Sequence, residues 1–131
     1  MQLITAEIRK ILLANGAQRD GDHVPVVKFF NPTGAATWLI TEMDPEEPDI
    51  LFGLCDLGLG FPELGPVSLA ELESVRGRLG LGIERDLYFT ACYPLSVYAE
   101  AARLQGGITT IPSLLAAAAM RLGKPIIPPS A

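Results

Sequence analysis

Between Ile4 and Asn15 the apolar residues Ile4, Ile8, Ile11 and Leu12 fall at the spacing of one helix face. Thr5 suits its N-cap, and Asn15-Gly16 is a stop signal. After the polar loop AQRDGDH the period shortens. VPVVKFFN (24–31) is β-branched and aromatic, with Pro25 where an edge strand or a strand's first residues tolerate it. ATWLITEMD (36–44) alternates: Thr37, Leu39, Thr41 and Met43 share one side, and Trp38, Ile40 and Glu42 the other. Asn31-Pro32-Thr33-Gly34 between them is a turn, because proline fixes φ and glycine permits positive φ. DPEEPD (44–49) is a second, acidic turn, and ILFGLCDL (50–57) a third strand. Strands joined this closely form an antiparallel meander.

GLGFPELGP (58–66) reads as a loop with room for one short strand. The next helix has the clearest local signature. Ser68 and Glu71 form a capping box, Val67 and Leu72 a hydrophobic staple, and Leu69, Leu72 and Val75 the buried stripe, which Gly77 ends. DLYFTA (86–91) reads as a fourth strand. SVYAEAARLQ (96–105) is a helix stopped by Gly106-Gly107. A last helix carries Ile111, Leu114, Leu115, Ala118 and Leu122 on one face, stops at Gly123 and Pro125, and leads into an extended tail. No internal repeat is expected. The expected fold is α+β: a four-stranded, mainly antiparallel sheet with helices packed on one side. It forms a single domain over 1–131, with a core at about 3–105 and a C-terminal helix and tail over 108–131.

The chain is 131 residues long with a net charge of −5. Its size suits one domain. Lys10, Lys28 and Lys124 are its only lysines, which disfavours direct nonspecific binding to nucleic acid. No signal peptide or stretch of membrane-span length is read, so a cytoplasmic location without membrane association is expected. Cys55 and Cys92 stand far apart and outside any C-x-x-C, as expected for buried or half-buried thiols in a reducing compartment.

Several chemistries lack their parts. His23 is the single histidine, which excludes multi-histidine metal sites and confines any Ser-His or Cys-His pair to one turn residue. Gly77, Gly80 and Gly82 follow a helix instead of a strand, so they do not make a dinucleotide loop. Neither metal nor cofactor is expected. The charge-rich stretch VSLAELESVRGRLGLGIERDLYF (67–89) supplies the candidate contact surface: Arg76, Arg78, Glu84, Arg85, Asp86 and Tyr88. Glu73 and Arg76 are spaced to pair on the helix. Arg76 or Arg85 could hold a carboxylate bidentately. Asp56 and Glu63 are secondary candidates, as a carboxylate pair for acid–base work. Phe29, Phe30, Trp38 and Phe52 are assigned to the core, and Tyr88, Tyr93 and Tyr98 to half-exposed interface positions.

FGLCDLG, PELGPVSLAELESVRG and GLGIERDLYF, in that order, resemble the domain of unknown function 2958 family over about residues 3 to 105. The resemblance implies a compact intracellular bacterial domain, often encoded on plasmids and other mobile elements. It brings no catalytic residues with it. The favoured expectation is a non-catalytic accessory or protein-interaction domain with a protein partner or self-association. Two rivals stay open: a small carboxylate and divalent-metal hydrolase or nuclease-like enzyme, and an acidic DNA mimic.

Overall fold

A computed structural model describes residues 2–124. The tail expected beyond Pro125 lies outside the described residues. Helix α1 (Ala6–Gly16) precedes strands β1 (Val27–Phe30), β2 (Thr37–Met43), β3 (Ile50–Asp56) and β4 (Glu63–Ser68). Then come α2 (Leu69–Ser74), a 3₁₀ turn (Arg78–Gly80), the two-residue strand β5 (Glu84–Arg85), α3 (Leu95–Gln105) and α4 (Pro112–Leu122). The sheet order is β4-β3-β2-β1-β5, and every neighbouring pair is antiparallel.

The class is α+β, as expected, with two differences. The sheet has five strands instead of four. ELGPVS (63–68) pairs with β3 from Ile50 to Cys55, and Pro66 is tolerated because β4 is an edge. Residues 86–91 form no strand. Asp86 Oδ1 accepts the Tyr88 N–H at 2.9 Å, an Asx turn that takes the backbone out of the ladder just after β5.

The second difference is that helices cover both faces. Trp38 and Ile40 join one cluster with Leu12 of α1 and Leu69 and Leu72 of α2. Leu39, between them, joins a second cluster with Val97, Tyr98, Ala101 and Ala102 of α3 and Leu115, Ala118 and Ala119 of α4. Successive side chains of a strand alternate, so these clusters lie on opposite sides of the sheet. Across the first face run the cross-strand rows Phe29–Trp38–Cys55 and Val27–Ile40–Gly53. Burying each large side chain here contributes about 1.5–3 kcal/mol. At Gly53 the sheet is tightest: a Cβ there would land on the Leu39 carbonyl oxygen.

The alternation expected for β2 breaks at Thr41, where a bulge shifts the register between Ile40 and Glu42. The extra residue puts Met43 on the Trp38 and Ile40 side instead of with Leu39. Thr41 is buried, and its hydroxyl donates to the Phe52 carbonyl at 3.3 Å.

The helix starts follow local rules, with long-range help. Thr5 Oγ1 accepts the Ile8 N–H at 3.2 Å, and Ser68 Oγ accepts the Glu71 N–H at 3.2 Å. Asp49, from the acidic turn, also accepts from Ser68 Oγ at 2.6 Å and from the Ala70 N–H at 2.8 Å. These bonds hold its carboxyl below the usual range. Asp22 serves α3 likewise. It accepts the Ser96 N–H at 3.0 Å, bonds the Ser96 hydroxyl, and pairs with Lys124 at 3.3 Å. Helix α2 stops at Ser74, short of the expected Gly77, as Val75 turns extended.

Candidate functional site

Three charged side chains of the stretch 67–89, Arg76, Arg85 and Asp86, are committed to internal partners. Arg76 Nη1 donates to the carbonyls of Glu73 at 2.9 Å and Val75 at 2.7 Å, closing the C-terminal end of α2. It therefore meets the main chain of Glu73, where pairing with the carboxylate was expected. Arg85 Nη1 reaches across β5 to the carbonyls of Gln2 at 2.7 Å and Leu3 at 3.2 Å, and so fixes the first residues of the chain. Asp86 lies 3.4 Å from the Lys28 ammonium. Arg76 and Glu84 line one polar hollow of about 450 Å³ with Glu73 and the segment Gly80–Ile83. Arg78 lies apart, against Thr33 and Leu79. Tyr88 is 94% exposed beyond the edge strand. The six candidates thus form a strip along one edge, and only Arg76 and Glu84 share a cavity.

Asp56 and Glu63 do not form a carboxylate pair. Glu63 is directly opposite Cys55, so it points to the other face from Asp56. Three strand spacings, about 14 Å, separate Asp56 on β3 from Glu84 on β5. Asp56 is buried, and its two oxygens accept the N–H groups of Gly58 at 2.8 Å and Ile108 at 2.9 Å. It clamps the β3–β4 loop to the α3–α4 connection. Burial, and then the Glu63 carboxylate, push the Cys55 thiol up, which disfavours the nucleophilic thiolate. Among the described residues no group of three or more His, Cys, Asp or Glu side chains is placed to hold a metal. No helix among them is long and apolar enough to cross a membrane.

The aromatic assignments need revision. Phe29 and Trp38 are buried as expected, but Phe52 is exposed. Tyr93 and Tyr98 are core residues, which leaves Tyr88 as the single outward tyrosine. Cys92 is exposed, and Cys55 half-buried.

One surface was not foreseen. The register Glu84–Phe30–Thr37–Asp56 brings the turn 31–36, the loop 57–62 and the segment 77–83 to the same end of the sheet. Gly58 sits against Ala35, and Gly77 against Thr33, with no room for a Cβ. Two of these segments carry the same pattern, Leu57-Gly58-Leu59-Gly60-Phe61 and Leu79-Gly80-Leu81-Gly82-Ile83. This short repeat corrects the expectation that the chain has none. Leu59, Phe61 and Leu79 are 73%, 81% and 91% exposed, and Leu57 and Leu81 are exposed beside them. Leu79 itself adopts φ 63°, a left-handed conformation that costs a non-glycine residue about 1–2 kcal/mol. Loops normally turn polar residues outward. These turn leucines outward, and one of them is held at a backbone cost.

Fold and surface together define a small α+β domain with a five-stranded antiparallel sheet between two helical layers and an apolar rim at one sheet end. The chain belongs to the family described as protein of unknown function (DUF2958), whose model matches residues 3–109. The match takes in the whole sheet and both glycine–leucine segments. No curated protein and no solved structure matches the chain.

Proposed function

We propose that this protein is a non-catalytic interaction domain of the bacterial cytoplasm, acting in support of a mobile element, and that it docks a protein partner through the apolar rim. One observation carries the reading: Leu57, Leu59 and Phe61 on one loop and Leu79 and Leu81 on another stand exposed at the same end of the sheet. Exposed apolar side chains gathered on two loops at one end of a folded domain mark a contact surface. Arg78, exposed next to Leu79, gives the rim a cation, so the complementary partner surface is apolar with a carboxylate at its margin. The earlier candidate strip adjoins this rim through Arg76, Arg78 and Glu84, while Tyr88 lies farther along the edge.

The test places a photo-crosslinking residue at position 61, at position 79, or at position 117 on the exposed side of α4, in the full chain in its host cell. The reading expects one discrete adduct from positions 61 and 79 and none from 117. An adduct of twice the chain mass identifies a second copy as the partner. Equal labelling at all three positions, or none at 61 and 79, overturns the reading.

A further inference from the structure

The end of the sheet opposite the rim carries a different feature. The bulge at Thr41 places Glu42 directly across from Phe52, and Phe52 is directly across from Pro66. Leu39 and Leu54 on this face are buried in the cluster with α3 and α4, while Phe52 in the Glu42–Phe52–Pro66 row is left 37% exposed. A cleft of about 320 Å³ opens here, its lining including Ile50, Phe52 and Pro66 on the apolar side and Arg19, Glu42 and Asp44 on the polar side. It adjoins a smaller hollow of about 150 Å³ beside His23 and Leu95 and shares Glu42, Phe52 and Arg19 with it.

Nearly every charge around the cleft is satisfied internally. Arg19 pairs with Asp44 at 2.8 Å. Asp22 pairs with Lys124 at 3.3 Å and caps α3. His23 Nε2 donates to the Gln18 carbonyl at 2.7 Å. Glu42 alone among these has no hydrogen-bond or ion-pair partner among the described residues, although His23 and Arg19 act on it through space. Burial pushes its carboxyl above the ordinary range, and His23 and Arg19 offset the push in part. A mainly apolar cleft with one unmatched anion in its lining, beside the Arg19–Asp44 pair, selects a cation carried on an apolar body.

We propose that this cleft binds a small alkyl- or arylammonium group, with Glu42 as the ionic anchor and the faces of Phe52 and Pro66 as the apolar bed. The site is at the other end of the sheet from the rim, so it stands or falls independently of the proposed docking function. The same chemistry has two sources: a free amine, or a lysine side chain flanked by apolar groups.

The test is an amide NMR titration of the full chain at pH 7 with phenethylammonium chloride. Saturable shifts at Arg19, Glu42 and Phe52 are expected, with a dissociation constant on the order of 1 mM for so small a ligand. Glu42→Gln should weaken binding at least tenfold. Its melting temperature controls for folding, and removing an unpaired carboxylate should not lower it. Uncharged 2-phenylethanol, of the same shape, should also bind at least tenfold more weakly. Tighter binding of acetyl-lysine N-methylamide would support the site and assign the ammonium to a protein side chain. Absent or scattered shifts, or equal affinity in Glu42→Gln or for the alcohol, overturn the proposal.

Discussion

Asp56 gives the sharpest test of whether a buried acid in this fold serves structure or chemistry. Each of its oxygens accepts a backbone N–H, from Gly58 at 2.8 Å and from Ile108 at 2.9 Å. Hydrogen bonds to an ionised acceptor contribute about 1.5–3 kcal/mol each. Asp56→Ala forfeits both and recovers the desolvation cost of the buried carboxylate, so a net loss of about 3 kcal/mol is expected. For a chain of this length that lowers the melting temperature by about 10 °C. Asp56→Asn separates the explanations. Its amide oxygen serves one N–H, but its NH₂ faces the other donor, so it should be nearly as damaging as Ala. Urea denaturation with a common m-value reads the difference. An Asp56→Asn protein as stable as wild type, or more stable, would refute the clamp and return Asp56 to the candidates for acid–base chemistry.

Gly53→Ala should destabilise by about 3 kcal/mol, because the new methyl meets the Leu39 carbonyl of the neighbouring strand instead of a movable side chain; a melt within 2 °C of wild type would contradict the β2–β3 spacing described. Glu100 on α3 holds Arg103 through two bonds of 2.9 Å and Arg121 of α4 through one of 3.1 Å. Those arginines lower its carboxyl from 4.5 to about 2. Its stabilising contribution is therefore full above pH 4.5 and is lost as pH falls through that window toward 2. Glu100→Gln should melt earlier than wild type at pH 7, and the gap should close as the pH approaches 2; a gap independent of pH would refute the α3–α4 tie.

What could be read from the sequence was what acts over a few residues. The Thr5 and Ser68 caps, the Leu69 and Leu72 stripe and the three-strand meander all declare themselves within four or five positions. Features that needed distant partners stayed hidden. Asp22 and Asp49 read as solvated loop acids, yet each caps a helix, Asp22 across 74 positions and Asp49 across 21. The bulge was silent because β2 is apolar on both sides, so either placement of Met43 buries it. Gly65 and Pro66 disguised β4 as a loop. The rim did leave a signal: two segments of turn-forming glycines interleaved with leucines where polar residues are the norm. Glu42 left none, because a strand glutamate is conspicuous only once its neighbours are known to be paired elsewhere.

The bulge at Thr41 also makes β2 a counting device. Residues before it and Met43 after it feed the α1 side only because one extra residue intervenes. Deleting Thr41 would leave Glu42 and Met43 on the sides they already face, because plain alternation from Ile40 then carries the carboxylate toward α3 and the methionine toward α1, whereas deleting Leu39 would send Ile40 to the wrong side. Length changes in descendants of this chain should therefore collect in the turns and at position 41, and the rest of the span from Thr37 to Met43 should keep its count even where residue identities drift.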